Sequence, residues 1–165
     1  MQSIHSCACM FLTERVILTE VIYMKESKEL LSSILKTTQM GQVGIRSVLD
    51  SNMRPTLRNA LESQLREYDS IDTAAQCIAS SRGWQVPELD PMVRTMADMM
   101  TRMRLTGGNT ESKIAGMMLQ GNTRGMIKGL KDLHQFSRQD HMLRSLSQKL
   151  LDCETANIRQ MQGFL

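Results

Sequence analysis

Apolar side chains recur at three- and four-residue intervals along four long stretches of the chain, the spacing of one helix face. In the first stretch, residues 27–50, the stripe is Leu31, Leu35, Thr38, Gln42, Ile45 and Leu49. The second starts at Pro55, a good first helical residue, and carries Leu57, Leu61, Gln64, Tyr68, Ile71, Ala75 and Ile78. It is expected to stop at Arg82-Gly83, with Gly83 just past the helix end. The third, residues 110–135, follows Asn109 as N-cap and places Ala115, Met118 or Leu119, Asn122, Met126, Leu130 and Leu133 on one face. A second face of this helix carries Gly121, Gly125 and Gly129, a ridge of small residues that lets a neighbouring helix come close. Gly41 and Gly44 imply similar close approach in the first helix. The fourth helix follows Ser137, which with Asp140 resembles a capping box, and its stripe is Leu143, Leu146, Leu150, Cys153, Asn157, Met161 and Phe164.

The connections decide the topology. The turns between the first and second helices and between the third and fourth are short, so each pair is expected to be antiparallel. Residues 84–109 form a long central connection. It carries a short helix of its own, with Asp90 as cap, Pro91 at its first position and Val93, Met96, Met100 and Met103 on one face, ending at Thr106-Gly107-Gly108. Short turn, long crossover, short turn is the all-α, ferritin-like up-down arrangement of a four-helix bundle.

Residues 1–23 do not share this pattern. Glu14, Arg15 and Glu20 interrupt their apolar run, which excludes a transmembrane span. No signal-peptide n-region or cleavage site is evident. Thr19-Glu20-Val21 can be encoded by a run containing a bacterial ribosome-binding sequence, suitably spaced before the Met24 codon. The expectation is a non-native or disordered leader over 1–23 and one helical domain over 24–165. N-terminal sequencing of the native protein tests it.

Composition agrees with helices. The chain of 165 residues is 41% hydrophobic and only 4% aromatic, whereas sheets concentrate aromatic and β-branched residues. A net charge of +3 is too small and too mixed for a nucleic-acid partner. Cys7, Cys9, Cys77 and Cys153 read as thiols of a reducing cytoplasm. With so few aromatics, the core has to be filled by Leu, Ile, Ala and the fifteen methionines. Met96, Met99, Met100 and Met103 could present thioether pairs to Cu(I), but packing in the core or between copies explains them better. His5, Cys7, Cys9 and Met10 form a soft-metal pattern inside the expected leader, and Gly107-Gly108-Asn109 offers backbone N–H groups for an anion. A helix start with ordinary caps accounts for the latter.

Two segments carry a family resemblance. "KELLSSILKTTQMG" and "RPTLRNALESQLREYDSIDTAAQCIASSRGW" resemble the first two helices of the spore coat F family, including its Arg-Gly-Trp turn, here Arg82-Gly83-Trp84. "IAGMMLQGNTRGMIKGLKDLHQF" and "LSQKLLDCETANIRQMQGFL" resemble the last two helices of degenerate ferritin-like domains. The resemblance implies a ferritin-like bundle and a role in the spore coat.

Ferritin-like di-iron centres need a Glu from each of two helices and a Glu-x-x-His pair from each of the other two. Here Gln42 is the inward polar residue of the first helix. Glu67 is followed at i+3 by Ser70, Asn122 occupies the third helix, and Glu154 is followed by Asn157 instead of His. His134 and His141 lie near the last turn, far from the middle. The ligand set is therefore missing, and no metal, cofactor or enzymatic activity is expected. What remains is a polar layer of Gln42, Gln64, Tyr68, Asn122 and Asn157, with Glu67 and Glu154 as further candidates. It reads as a hydrogen-bonded network that sets helix register. The alternative is a degenerate centre that takes a small molecule or a weakly held cation between Glu67 and Glu154. The function expected is non-enzymatic: a structural or assembly protein, cytoplasmic or built into the spore coat, acting through self-association or contact with other helical proteins.

Overall fold

A computed structural model describes residues 4–85, 110–136 and 140–165, with side chains described from residue 17 onward. The expected short helix with Met96, Met99, Met100 and Met103, and the Gly107-Gly108-Asn109 start, lie outside the described residues. Four helices are described: α1 (Ile4–Leu49), α2 (Pro55–Ser81), α3 (Thr110–Gln135) and α4 (His141–Gln162). Every described element is helical, as the periodicity requires.

Contacts along the bundle define its topology. Gly41 lies against Tyr68, Ser33 bonds Asp132, Gly125 meets Glu154, and Gln64 bonds Gln160. Each adjacent pair (α1 with α2, α1 with α3, α2 with α4, α3 with α4) therefore runs antiparallel. Arg82 at the end of α2 pairs with Asp140 at the start of α4, while Glu111 at the start of α3 pairs with Arg54 at the opposite end. The chain between Gln85 and Thr110 thus joins opposite ends of the bundle. This is the long-crossover, up-down-down-up ferritin-like order.

Local signals place the ends. Pro55 opens α2, where its missing N–H costs nothing. Gly83 has φ +62, the left-handed conformation that closes a helix cheaply only for glycine, and Trp84 N–H returns to the Ala79 carbonyl at 2.9 Å. The Arg82 guanidinium stacks 4.9 Å from the Trp84 ring centre. α4 starts differently from expectation: its N-cap is Asp140, whose carboxylate accepts the Met142 N–H at 2.7 Å. The capping carboxylate thus sits four residues before Arg144, and the expected Ser137 cap lies outside the described residues.

The buried stripes of α2 and α4 follow the expected residues, with Phe164 only partly buried. In α3 the buried face departs from expectation. Ala115, Met118 and Asn122 are buried as expected, but Leu130 is 42% exposed and Asp132 is buried. Beyond Asn122 the contact face runs through Gly125, Gly129 and Asp132, one residue earlier than Met126, Leu130 and Leu133. Glycine at two of those positions lets α4 settle onto the side that offers least bulk. Gly129 is in ordinary contact with Leu151, whereas Gly121 faces open space. Of the three ridge glycines, only two meet the neighbouring helix.

α1 is also longer than expected. It begins at Ile4 and runs unbroken through residues 4–23 into the bundle. The bundle's core begins at Ser27 and Leu30; from Ile17 to Met24 every side chain is exposed except the partly buried Tyr23. The described helix therefore projects beyond the end of the bundle.

Candidate functional site

Around Tyr68 the four helices hold a polar centre. The ring is 2% exposed and lies against the backbone of Gly41. A side chain at 41 would put its Cβ 2.6 Å from Tyr68 Cε2 and Cζ, so the glycine exists to admit the ring. The phenol donates to Asn122 Oδ1 at 3.2 Å, and Glu154 and Asn157 of α4 stand beside it. Asn157 Nδ2 lies 3.5 Å from the Cys153 sulfur. Burial raises the Tyr68 phenol well above its ordinary value, and the neighbouring Glu154 carboxylate adds to this.

Glu154 is the unusual member. It is 2% exposed, and its Oε2 has no hydrogen-bond partner. Burial pushes its carboxyl up to about 7, while the Tyr68 hydroxyl draws it back down. The carboxyl fits because α3 presents Gly125 opposite it; a Cβ there would lie 2.7 Å from Glu154 Cδ. Asn122 Nδ2 is likewise buried without a partner.

The seven sequence candidates do not all meet here. Tyr68, Asn122, Glu154 and Asn157 converge. Gln42 is buried but turns toward the α1–α2 seam, where Nε2 donates to Asp69 Oδ1 at 2.8 Å beside Arg46. Gln64 Nε2 donates to Gln160 at 2.7 Å. Glu67 is exposed, because it stands one residue before Tyr68 and so about 100° around the helix from the buried stripe. At the rim its carboxylate lies near enough to the Cys153 thiol to push it up. Among the described residues no group of three or more His, Cys, Asp or Glu side chains is placed to hold a metal ion.

A second buried polar group was not legible in the sequence. Asp132 of α3, 8% exposed, accepts the Ser33 hydroxyl of α1 and lies 3.3 Å from Lys128 Nζ. Lys128 and Asp132 are an i, i+4 pair, the available sequence signal, but that spacing usually marks a solvated face. Its burial follows from the shifted contact face of α3.

The two described thiols differ. Cys77 is exposed and Cys153 buried. Burial foremost, then Glu67, drives the Cys153 thiol far above its ordinary value, so the nucleophilic thiolate is suppressed. Brief alkylation of the native protein at pH 8 is expected to label Cys77 and spare Cys153 until denaturant is added. Peptide mass mapping checks this. Equal labelling of both would show that the centre is open to solvent.

Fold and centre together define a four-helix bundle of ferritin-like order whose middle is polar and, among the described residues, holds no group of three or more metal-ligating side chains. Its fold is similar to that of the crystal structure of a DUF305 fragment from Deinococcus radiodurans. The two superpose with a TM-score of 0.67 over 84% of this chain and 93% of that one, at 13% identity. At that identity the likeness establishes the fold alone. No family model matches the chain, so the spore coat F resemblance gains no support, and no curated protein matches it. Among the described residues no helix is long and apolar enough to cross a membrane.

Proposed function

We propose that this chain is a non-enzymatic assembly protein that pairs with a second copy through the projecting part of α1. The observation that carries the reading is the exposure of Ile17 (56%), Leu18 (61%), Val21 (52%), Ile22 (44%) and Met24 (52%) on a helix no other described element covers. Together they expose on the order of 500 Å², within the range of the largest apolar patches on monomers, which are often functional. An isolated helix of this kind is marginal in water, so pairing also explains its persistence.

Charge favours a like partner in parallel register. With Val21 at a and Ile17 and Met24 at d, Glu20 takes position g and Lys25 position e, and both are exposed. In a parallel pair each Glu20 faces the Lys25 of the other copy, whereas antiparallel pairing would oppose like charges. The polar centre fits the non-enzymatic part of the reading, since its phenol and the Asn157 amide are engaged by neighbouring side chains of the centre. The spore-coat setting rests on the sequence resemblance alone.

Light scattering on untagged protein tests the reading. The full chain is expected to be a dimer or larger at micromolar concentration, and to remain so in high salt because the contact is mainly apolar. The Ile17→Glu/Val21→Glu variant is expected to be monomeric, with helical content lost only from the projecting part of α1, since both side chains are more than half exposed. A monomeric full chain, a native protein whose sequence starts at Met24, or stoichiometric copurifying iron, manganese or copper would each overturn it.

A further inference from the structure

We propose that Glu154 is a proton-binding site that couples the tightness of the α3–α4 seam to pH. This is independent of the pairing through α1. The argument begins with hydrogen-bond accounting. Tyr68 has one phenolic hydrogen, which goes to Asn122 Oδ1 at 3.2 Å, and the Glu154 carboxyl stands beside it as the competing acceptor. With Glu154 protonated, the carboxyl donates to the Tyr68 oxygen and the phenol donates to Asn122, so one continuous chain crosses from α4 through α2 to α3. With Glu154 ionised, the phenol must turn to the carboxylate and Asn122 Oδ1 loses its donor. Oε2 then carries charge with no partner at a position 2% exposed. Buried polar groups left unsatisfied are costly, and buried charges more so.

No neighbouring charge compensates. Tyr68 and the rim carboxylate Glu67 face the site from α2, Cys153 from α4 itself, Asn122 and Gly125 from α3, and Gly41 backs the ring from α1. Among the described residues no lysine, arginine or histidine forms an ion pair with Glu154; the described pairs lie elsewhere. On the α3 side the carboxyl packs directly against Gly125, with no side chain between the two helices there. Deprotonation therefore loosens the bundle first along α3–α4.

The sign follows from linkage. The folded value, about 7, lies above the ordinary 4.5, so the folded state holds the proton more tightly. The stabilisation is complete below the unfolded value and is lost as pH rises through about 7. Between those limits the folding equilibrium constant falls by a factor on the order of a hundred from this group alone.

Two measurements test it. The first is a carbon-13 NMR titration of the wild-type side-chain carboxyl, which needs no variant. A midpoint near neutrality is expected, accompanied by faster amide exchange along α3 and α4 above it. The second is urea unfolding from pH 5 to 8 for wild type and Glu154→Gln. Wild type is expected to lose stability as pH rises, while the variant, uncharged throughout, has a flatter profile. A Glu154 midpoint in the ordinary carboxylate range, or parallel profiles for the two proteins, would overturn the proposal. If the variant does not fold, the titration alone decides.

Discussion

Tyr68→Ala is expected to cost about 3–5 kcal/mol, the usual loss for a large aromatic removed from a packed core. The ring is 2% exposed and is touched from α1, α3 and α4, so no single helix can move in to fill the space. The change also strips Asn122 and Glu154 of a shared partner. Against a typical total stability of about 5–15 kcal/mol, the loss is large. For a chain of this size it corresponds to a fall in Tm of roughly 10–15 °C. Thermal unfolding followed by circular dichroism reads it at pH 6. Tyr68→Phe separates the two contributions: it keeps the ring and removes the hydroxyl, for about 1–3 kcal/mol. If Tyr68→Ala lowered Tm by only a degree or two, the ring would not be the keystone of the centre.

Gly41→Ala is the second large effect, and its sign is a contest. Alanine in a helix interior gains up to ~1 kcal/mol over glycine. At 41, however, the new Cβ would stand 2.6 Å from two carbons of a rigid buried ring, and overpacking of that kind costs about 1–3 kcal/mol. The clash is expected to win, with a net loss of about 1–2 kcal/mol. Gly121→Ala is the control. Nothing lies within 4 Å of a Cβ there, so the propensity gain stands alone and the variant is expected to be slightly more stable than wild type. In a Tyr68→Ala background, Gly41→Ala should change sign and become stabilising, because the atom it strikes is gone. Urea unfolding of the four proteins gives the coupling. A Gly41→Ala variant more stable than wild type would mean that Tyr68 can move aside.

Much of the bundle was legible in the chain. The stripes of α2 and α4 are long, regular and bounded by plain stop signals, so Leu57 through Ile78 and Leu143 through Met161 read directly as core. The missing His at positions 70 and 157 was equally plain, because a ligand pair at i, i+3 is a local property of one helix. Reading was poorest where burial depended on what stood opposite. Glu67 and Glu154 both looked like inward carboxylates, yet one is exposed and the other buried. Periodicity assigns a side chain to a face only to within the width of the apolar stripe. At the stripe's edge a rotation of one residue decides between core and water.

The sequence alone therefore determined the helices, the faces of three of them and the absence of a Glu-x-x-His pair at Glu67 and Glu154, since all of these follow from spacing within one helix. The tertiary structure alone decided that Gly41 and Gly125 are slots for Tyr68 and Glu154, and that Asn122 bonds a phenol from another helix. It also decided that Asp132 is buried and that the apolar side chains of α1 from Ile17 to Met24 run on past the bundle's end. The physical reason is the same in each case. A glycine, an amide or a carboxyl has no fixed preference for inside or outside. Its energy depends on the atoms a neighbouring helix brings within a few ångströms, and those come from residues tens of positions away in the chain.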